Sequence, residues 1–208
     1  LTVDDQYDAV QLHTFSPFPL LRAALEGACT VAWLIDPHVD AITRARRRIE
    51  LLVGSHAARD RVQGAMNVPK QGWERDEDWL QRVTTMGIDA RAMVKNPRQL
   101  TSNTEIVAAG ADLLSAAKPK NPPGEAFLVG WRALSGLTHA DLWAVMSVPA
   151  KAIEGGSDPE TDEVRATFYS TPETLILWTW LATLAVEQAG SWYDLQRLAL
   201  RDHTQDSA

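Results

Sequence analysis

The chain has almost no cysteine: Cys29 is the only one among 208 residues. A single cysteine cannot form a disulfide within the chain, and this usage is typical of proteins from a reducing compartment. One cysteine and five scattered histidines also argue against a zinc site. We therefore predict a cytoplasmic protein that needs no metal and no cofactor.

The sequence also lacks a hydrophobic run long enough to cross a bilayer. Its most apolar stretch, LILWTWLATLAV at residues 175–186, is followed by Glu187 and falls well short of the roughly 20 residues that a spanning helix needs. The first residues are acidic, whereas a secretory leader begins with basic ones. These absences predict a chain without a membrane partner.

Positive charge is scarce as well, since the formal net charge is −7. A balance this acidic argues against wholesale coating of nucleic acid. Residues 36–61 differ, with six arginines against four acids. Consecutive arginines do not share one helix face, so a solvated basic surface and a phosphate-binding surface for RNA are the two interpretations. The residues concerned are Arg44, Arg46, Arg47 and Arg48. No feature predicts specific recognition of DNA.

What the sequence does have is a helical pattern nearly throughout. The pairs Ser16-Pro17, Asp36-Pro37 and Thr171-Pro172 each combine a capping residue with a proline suited to the first helical turn. Three further helices are predicted over residues 73–86, 103–117 and 125–146, and the last helix is expected to run for roughly 28 residues. The stretch 89–101 is expected to be irregular.

Residues 148–171 interrupt the pattern with two prolines, two glycines and many acids. Within them, RATFYS is rich in β-branched and aromatic residues, which favour a strand. No repeat or linker divides the chain. We predict an all-α fold: a single helical bundle of about five to seven helices over residues 1–208, with one short strand or hairpin in the 148–171 loop.

The predicted helix WRALSGLTHADLW, residues 131–143, carries a polar stripe. Arg132, Ser135 and His139 are spaced by three, four and seven residues, so they share one helix face. A histidine exchanges protons near neutral pH, an arginine holds a phosphate, and the serine could fix the histidine tautomer. Gly136 is a point where the helix could break. The alternative is structural: Arg132 paired with an acid, and Ser135 and His139 hydrogen-bonded within the bundle.

Two further motifs are candidates. Arg22 and Glu26 form an i, i+4 pair inside the apolar first helix, where burial of charge is costly, so they serve either as a structural lock or as support for a charged site. Glu26 could meet Arg132 or His139 if their helices face each other. DDQYD, residues 4–8, resembles the Asp-rich Mg²⁺ motif of isoprenoid synthases. No second such motif follows, so a solvated acidic terminus is the favoured interpretation.

The early helix LLRAALEGACTVAWLIDP, residues 20–37, and the late WRALSGLTHADLW together resemble the HEPN family of helical proteins. Arg132 and His139 match that family's Arg-x4–6-His pattern at its widest spacing. The resemblance implies a homodimer that brings two such pairs into one cleft, and a metal-independent endoribonuclease of toxin or phage-defence type. His139 would transfer protons and Arg132 would hold the phosphate, with Ser135, Glu26 and Arg22 supporting them.

Two alternatives stay open beside this hypothesis. The first is a non-catalytic helical module that binds a protein partner or a small molecule, with several tryptophans lining a pocket or an interface. Those tryptophans are Trp131, Trp143, Trp178 and Trp180. The second is a Mg²⁺-dependent enzyme of the isoprenoid type that uses the DDQYD stretch.

Overall fold

A computed structural model of the chain describes residues 2–4, 9–11, 16–67, 77–96, 99–118, 120–154 and 165–205. Over these residues it contains eight helices, two of them six residues long, and four short strands. The helices are α1 (Pro17–Leu34), α2 (Ala41–Ala65), α3 (Glu77–Thr85), α4 (Ala90–Lys95), α5 (Asn103–Ala116), α6 (Gly124–Thr138), α7 (Leu142–Ser147) and α8 (Pro172–Gln205). The predicted all-α class is confirmed.

The strands form two antiparallel hairpins. Strand β1 (Thr2–Asp4) pairs with β2 (Ala9–Gln11), and β3 (Ala150–Glu154) pairs with β4 (Arg165–Tyr169). The second hairpin confirms the strand pairing predicted for the 148–171 loop. Within the described ranges no helix combines the length and hydropathy required to cross a membrane.

Contacts divide the chain into two compact units. The first unit comprises residues 1–32 and 107–208, and the second comprises residues 33–106. The organisation of residues 1–208 as one domain stays a prediction.

The first unit is built on α1, α5, α6 and α8, whose apolar faces form one core. Phe18, Leu25, Leu114, Phe127 and Leu134 are completely buried in it. Burial of each such side chain contributes roughly 1.5–3 kcal/mol to folding.

Helices α1 and α5 approach so closely that only glycine fits between them. A Cβ atom added at Gly110 would lie 2.1 Å from the carbonyl oxygen of Cys29. Cys29 is fully buried at this crossing. Burial, followed by the charge of Glu26, raises the pKa of its thiol to about 12. The thiolate is the nucleophilic form of cysteine, so Cys29 is a packing residue.

The second unit has a smaller core between α2, α3 and α4. Its buried residues are Ile49, Val53, Val83, Ile88 and Ala90. Ile49 and Val53 are one helical turn apart on α2 and supply a single narrow apolar stripe. Much of the rest of this helix faces solvent, including the apolar side chains of Ile42 and Val62.

The start of α2 differs from the prediction. The helix begins at Ala41, not after Pro37, because Asp40 caps it by accepting a hydrogen bond from the Thr43 amide at 2.7 Å. Asp36 instead accepts from the His38 amide at 2.9 Å. Its other carboxylate oxygen binds Arg47, as described below.

Three other helices also differ from the prediction. Helix α4 forms within the stretch expected to be irregular, because Asp89 accepts a hydrogen bond from the Ala92 amide at 2.9 Å and caps it. The helix predicted over residues 125–146 is two helices, α6 and α7, that separate after Thr138. The last helix, α8, runs for 34 residues and is longer than expected.

Candidate functional site

The two ends of the polar stripe on α6 face solvent. The side chains of Arg132 and His139 are both exposed. Neither makes a side-chain hydrogen bond or ion pair with any residue whose position the structure describes. Arg132 therefore has no acidic partner in the described ranges, in contrast to the structural interpretation of the stripe. Both functional groups are available to a ligand.

His139 occupies the position where α6 ends. Its amide donates to the Ser135 carbonyl at 3.0 Å, and the amide of Asp141 donates back to the Gly136 carbonyl at 2.8 Å. Ala140 between them adopts a left-handed φ of 55°. Because the Ala140 amide also donates to the Leu137 carbonyl at 3.3 Å, this turn is a Schellman motif, which normally places glycine at the left-handed position. The motif fixes the backbone of His139 at a sharp corner between α6 and α7.

Ser135 contacts His139 through its backbone only. Its carbonyl accepts the His139 amide, and no hydrogen bond joins the serine hydroxyl to the imidazole. The structure thus brings the two residues together, but it does not show the serine orienting the histidine ring.

Helix α7 packs back across α6 at Gly136. A Cβ atom at Gly136 would lie 2.7 Å from the Cβ of Ala144 and 2.8 Å from Cζ2 of Trp143. Gly136 follows Arg132 by four residues and precedes His139 by three, so all three positions share one face of the helix. The indole of Trp143 therefore covers the part of that face between the arginine and the histidine. It remains 53% exposed.

Arg22 and Glu26 contact Trp131, which precedes Arg132 in the sequence, and do not contact Arg132. Glu26 Oε2 lies 2.8 Å from Arg22 Nη2 and accepts a hydrogen bond from Trp131 Nε1 at 2.9 Å. The guanidinium carbon of Arg22 lies 5.8 Å from the centre of the Trp131 ring. The suggested contact of Glu26 with Arg132 or His139 is not formed. The pair instead locks α1 to α6 through the buried Trp131.

The basic segment of α2 belongs to the second unit and is largely occupied by its own chain. Arg47 donates to the Trp33 carbonyl and lies 3.2 Å from Asp36 Oδ2, with its guanidinium carbon 4.9 Å from the centre of the Trp33 ring. Arg44 donates to the carbonyls of Asp36 and Val39. These two arginines fasten the turn between α1 and α2.

The other two arginines of this segment are more accessible. Arg46 pairs with Glu50 at 3.2 Å, and its side chain is 63% exposed. The second carboxylate oxygen of Glu50 accepts a hydrogen bond from the Thr101 hydroxyl at 2.7 Å. Arg48 is exposed and has no ion pair among the residues that the structure describes. Of the four predicted phosphate ligands, Arg46 and Arg48 are thus the two whose charge reaches solvent.

Two concave surfaces accompany these residues. In the first unit, an apolar groove of about 430 Å³ runs between α1 and α8 past Gly27 and Gly190. In the second unit, a more polar pocket of about 380 Å³ lies beside Arg46 and Glu50. Neither surface is lined by any of the four tryptophans that were expected to line a pocket or an interface. Trp131 and Trp178 pack in the core of the first unit, and Trp143 and Trp180 are exposed elsewhere.

The DDQYD stretch falls mostly outside the described residues, because only Asp4 is placed, as the end of β1. In the described part of the chain, no group of three or more histidine, cysteine, aspartate or glutamate side chains is arranged to hold a metal ion. The predicted Mg²⁺ motif therefore stays a prediction.

No family model, curated protein or solved structure matches the chain.

Proposed function

We propose that the chain is an HEPN-like endoribonuclease of toxin or phage-defence type that cleaves RNA without a metal ion. The observation that carries the proposal is the pair Arg132 and His139, which are exposed, unpartnered within the described residues, and held at one end of one helix face. A buried or ion-paired couple would not be available for chemistry, whereas this couple is.

The attack on phosphorus uses groups that this corner supplies. His139 accepts the proton of a ribose 2′-hydroxyl, whose oxygen attacks the adjacent phosphorus and forms an O2′–P bond. The bond from phosphorus to the 5′-oxygen breaks, and that oxygen takes up a proton. The products are a 2′,3′-cyclic phosphate and a 5′-hydroxyl. Arg132 binds the non-bridging oxygens and stabilises the charge that develops on them.

A homodimer completes this mechanism. The departing 5′-oxygen needs a general acid, and one histidine cannot be deprotonated and protonated at the same time. A second His139 from another copy of the chain supplies that proton in the proposed assembly. The proposed location is the cytoplasm, where RNA is present and a buried thiol such as that of Cys29 stays reduced.

The experiment is cleavage of a fluorescent single-stranded RNA in the presence of EDTA. We expect His139→Ala to reduce the rate by about 10²–10⁴-fold, which is the usual contribution of a general acid or base. His38→Ala is the matched control, because His38 is equally solvent-exposed and only its backbone amide is hydrogen-bonded to Asp36. Cleavage that survives His139→Ala, or that falls equally in His38→Ala, contradicts the proposal.

A second candidate function follows from the outer surface of α7. Leu142 is 76% exposed and Met146 is 45% exposed, and these residues are one helical turn apart on the side opposite the buried Ala144. Adjacent exposed apolar side chains indicate a protein contact. In this alternative the chain is a non-catalytic module that binds a protein partner. Leu142→Glu would then abolish the complex in sedimentation experiments, and RNA cleavage would be absent throughout.

A further inference from the structure

Trp143 has an exposure that its own fold does not explain. An aromatic ring of this size contributes most when it is buried, and the next residue, Ala144, is completely buried against α6. Trp143 nevertheless leaves 53% of its surface in solvent. Its direction also differs from that of Leu142, because successive residues on a helix are turned by about 100°.

The Trp143 ring packs close to the backbone of α6 at Gly136. Glycine inside a helix costs roughly 1 kcal/mol relative to alanine. At Gly136 a side chain is excluded, since its Cβ would lie 2.8 Å from Cζ2 and 3.2 Å from Cε2 of Trp143. Gly136 thus lets the indole settle onto the helix face between Arg132 and His139. Positions three or four residues apart on a helix have Cβ atoms about 5–6 Å apart, so the ring lies on the same stretch of helix surface as the positions of Arg132 and His139.

We propose that Trp143 is a stacking platform for an unpaired base beside the phosphate that Arg132 holds, so that the substrate class is single-stranded RNA. This inference rests on the proposed ribonuclease function and specifies its substrate. Every nucleobase has a π-face, and stacking on an aromatic side chain contributes roughly 1–3 kcal/mol per base without selecting a sequence. Bases within a duplex are already stacked and paired, so they cannot reach the ring.

The charge of the chain determines how RNA would have to be bound at this site. The chain has a net charge of −7, and Asp141 is exposed two residues after His139. Long-range attraction therefore contributes little to RNA binding, and affinity has to come from a short-range contact. Binding that depends on one phosphate contact and one stacked base has a weak salt dependence, with a slope of log K against log salt near −0.7 for a single strand.

The test measures binding by fluorescence anisotropy, using the full chain and a labelled RNA whose riboses are all 2′-O-methylated so that it cannot be cleaved. We expect Trp143→Leu to weaken binding about tenfold, which corresponds to stacking of one base. Trp143→Phe retains a ring and should weaken it by less than about threefold. Trp180→Leu is the matched control, because Trp180 is also 53% exposed. A duplex of the same sequence should bind at least tenfold more weakly.

Abasic substitution then links the ring to one base. A single abasic position in the strand should weaken binding to the wild type. The same position should not weaken binding to Trp143→Leu any further, because this variant has already lost the stacking interaction with that base. Trp143→Phe guards against a folding defect, because a variant that keeps the ring keeps the packing on Gly136. Thermal unfolding of each variant is followed by circular dichroism.

Three results overturn the inference: equal binding by Trp143→Leu and the wild type, equal binding of duplex and single strand, or a changed oligomeric state of Trp143→Leu with unchanged RNA binding. The last result would make Trp143 a protein contact. These results are separable from failure of the ribonuclease proposal. His139-dependent cleavage with unchanged binding by Trp143→Leu leaves the ribonuclease and removes the stacking. Ring-dependent binding without His139-dependent cleavage removes the ribonuclease and leaves an RNA-binding surface.

Discussion

The turn between α1 and α2 and the corner between α6 and α7 both display arginine, but they use it in opposite ways. In the turn, Arg44 and Arg47 donate to backbone carbonyls, and Arg47 also meets the carboxylate of Asp36. At the corner, Arg132 has no such partner among the residues that are placed. Two of the four clustered arginines, Arg44 and Arg47, therefore fasten a turn, whereas Arg132 leaves its charge in solvent, as Arg48 also does.

The difference has a simple physical origin. A turn that ends one helix and begins another leaves carbonyl groups without a helical partner, and a guanidinium with five donors can satisfy several of them at once. The corner at His139 needs no such help, because the Schellman motif pairs its orphan carbonyls with the amides of Ala140 and Asp141. Where backbone amides already bind the terminal carbonyls of a helix, a nearby arginine is not needed for that purpose and can bind a ligand.

The largest expected difference between the turn and the corner is in how much each arginine contributes to the free energy of unfolding. We expect Arg47→Ala to lower the free energy of unfolding by about 2–4 kcal/mol, because it leaves the buried carboxylate of Asp36 without its charged partner. Arg132→Ala should change it by no more than about 0.5 kcal/mol, as for other solvent-exposed substitutions. Urea denaturation of both variants makes the measurement. Similar losses in the two variants would remove the distinction between them.

A smaller effect is expected where α1 meets α6. Glu26→Ala removes the acceptor for Trp131 Nε1 and the partner of Arg22, and both contacts are partly buried. We expect a loss of about 1–3 kcal/mol in the free energy of unfolding, since a buried donor is left unpaired. Glu26→Gln keeps an acceptor for the indole and should lose less. RNA cleavage should fall less than tenfold in both variants, because Glu26 contacts neither Arg132 nor His139. Loss of cleavage comparable to that of His139→Ala would place Glu26 in the reaction.

The smallest expected change in the free energy of unfolding concerns the residues after two helices whose backbone adopts a left-handed conformation. Helix α3 is followed by Gly87 with φ of 78°, whereas α6 is followed by Ala140 with φ of 55°. Alanine is strained in this region, so Ala140→Gly should raise the free energy of unfolding by about 0.5–1 kcal/mol. Gly87→Ala should lower it by about 1 kcal/mol. Thermal unfolding compares the two changes. A stabilising Gly87→Ala or a destabilising Ala140→Gly would show that these corners are not held as described.

The starts of two helices could be predicted from the sequence because caps are local. Ser16-Pro17 and Thr171-Pro172 opened α1 and α8 where expected, since a capping side chain and a proline act on the first turn alone. The start of α2 could not be predicted in the same way. Asp36 and Asp40 are both suitable caps, and the choice between them depends on Arg47, which comes from a later turn of the helix and binds Asp36.

The candidate site was predictable in part for the same reason. The spacing of Arg132 and His139 placed them on one face, because helical periodicity is a local property. The placement of Trp143 on α6 was not predictable, since it depends on α6 ending at Thr138 and on Ala140 adopting a backbone conformation that alanine disfavours. Only when that corner forms does Trp143 return to Gly136. The signal in the sequence was Gly136 itself, a glycine inside an otherwise strongly helical stretch.

We propose that the α6–α7 corner cleaves RNA through the neighbouring 2′-hydroxyl. The decisive experiment is single-turnover cleavage, in EDTA, of a single-stranded RNA that carries one 2′-O-methyl ribose at the cleaved position. We expect this one methyl group to block cleavage there and the unmethylated RNA to yield a 2′,3′-cyclic phosphate end. Cleavage next to the methylated ribose at an unchanged rate would contradict the proposal.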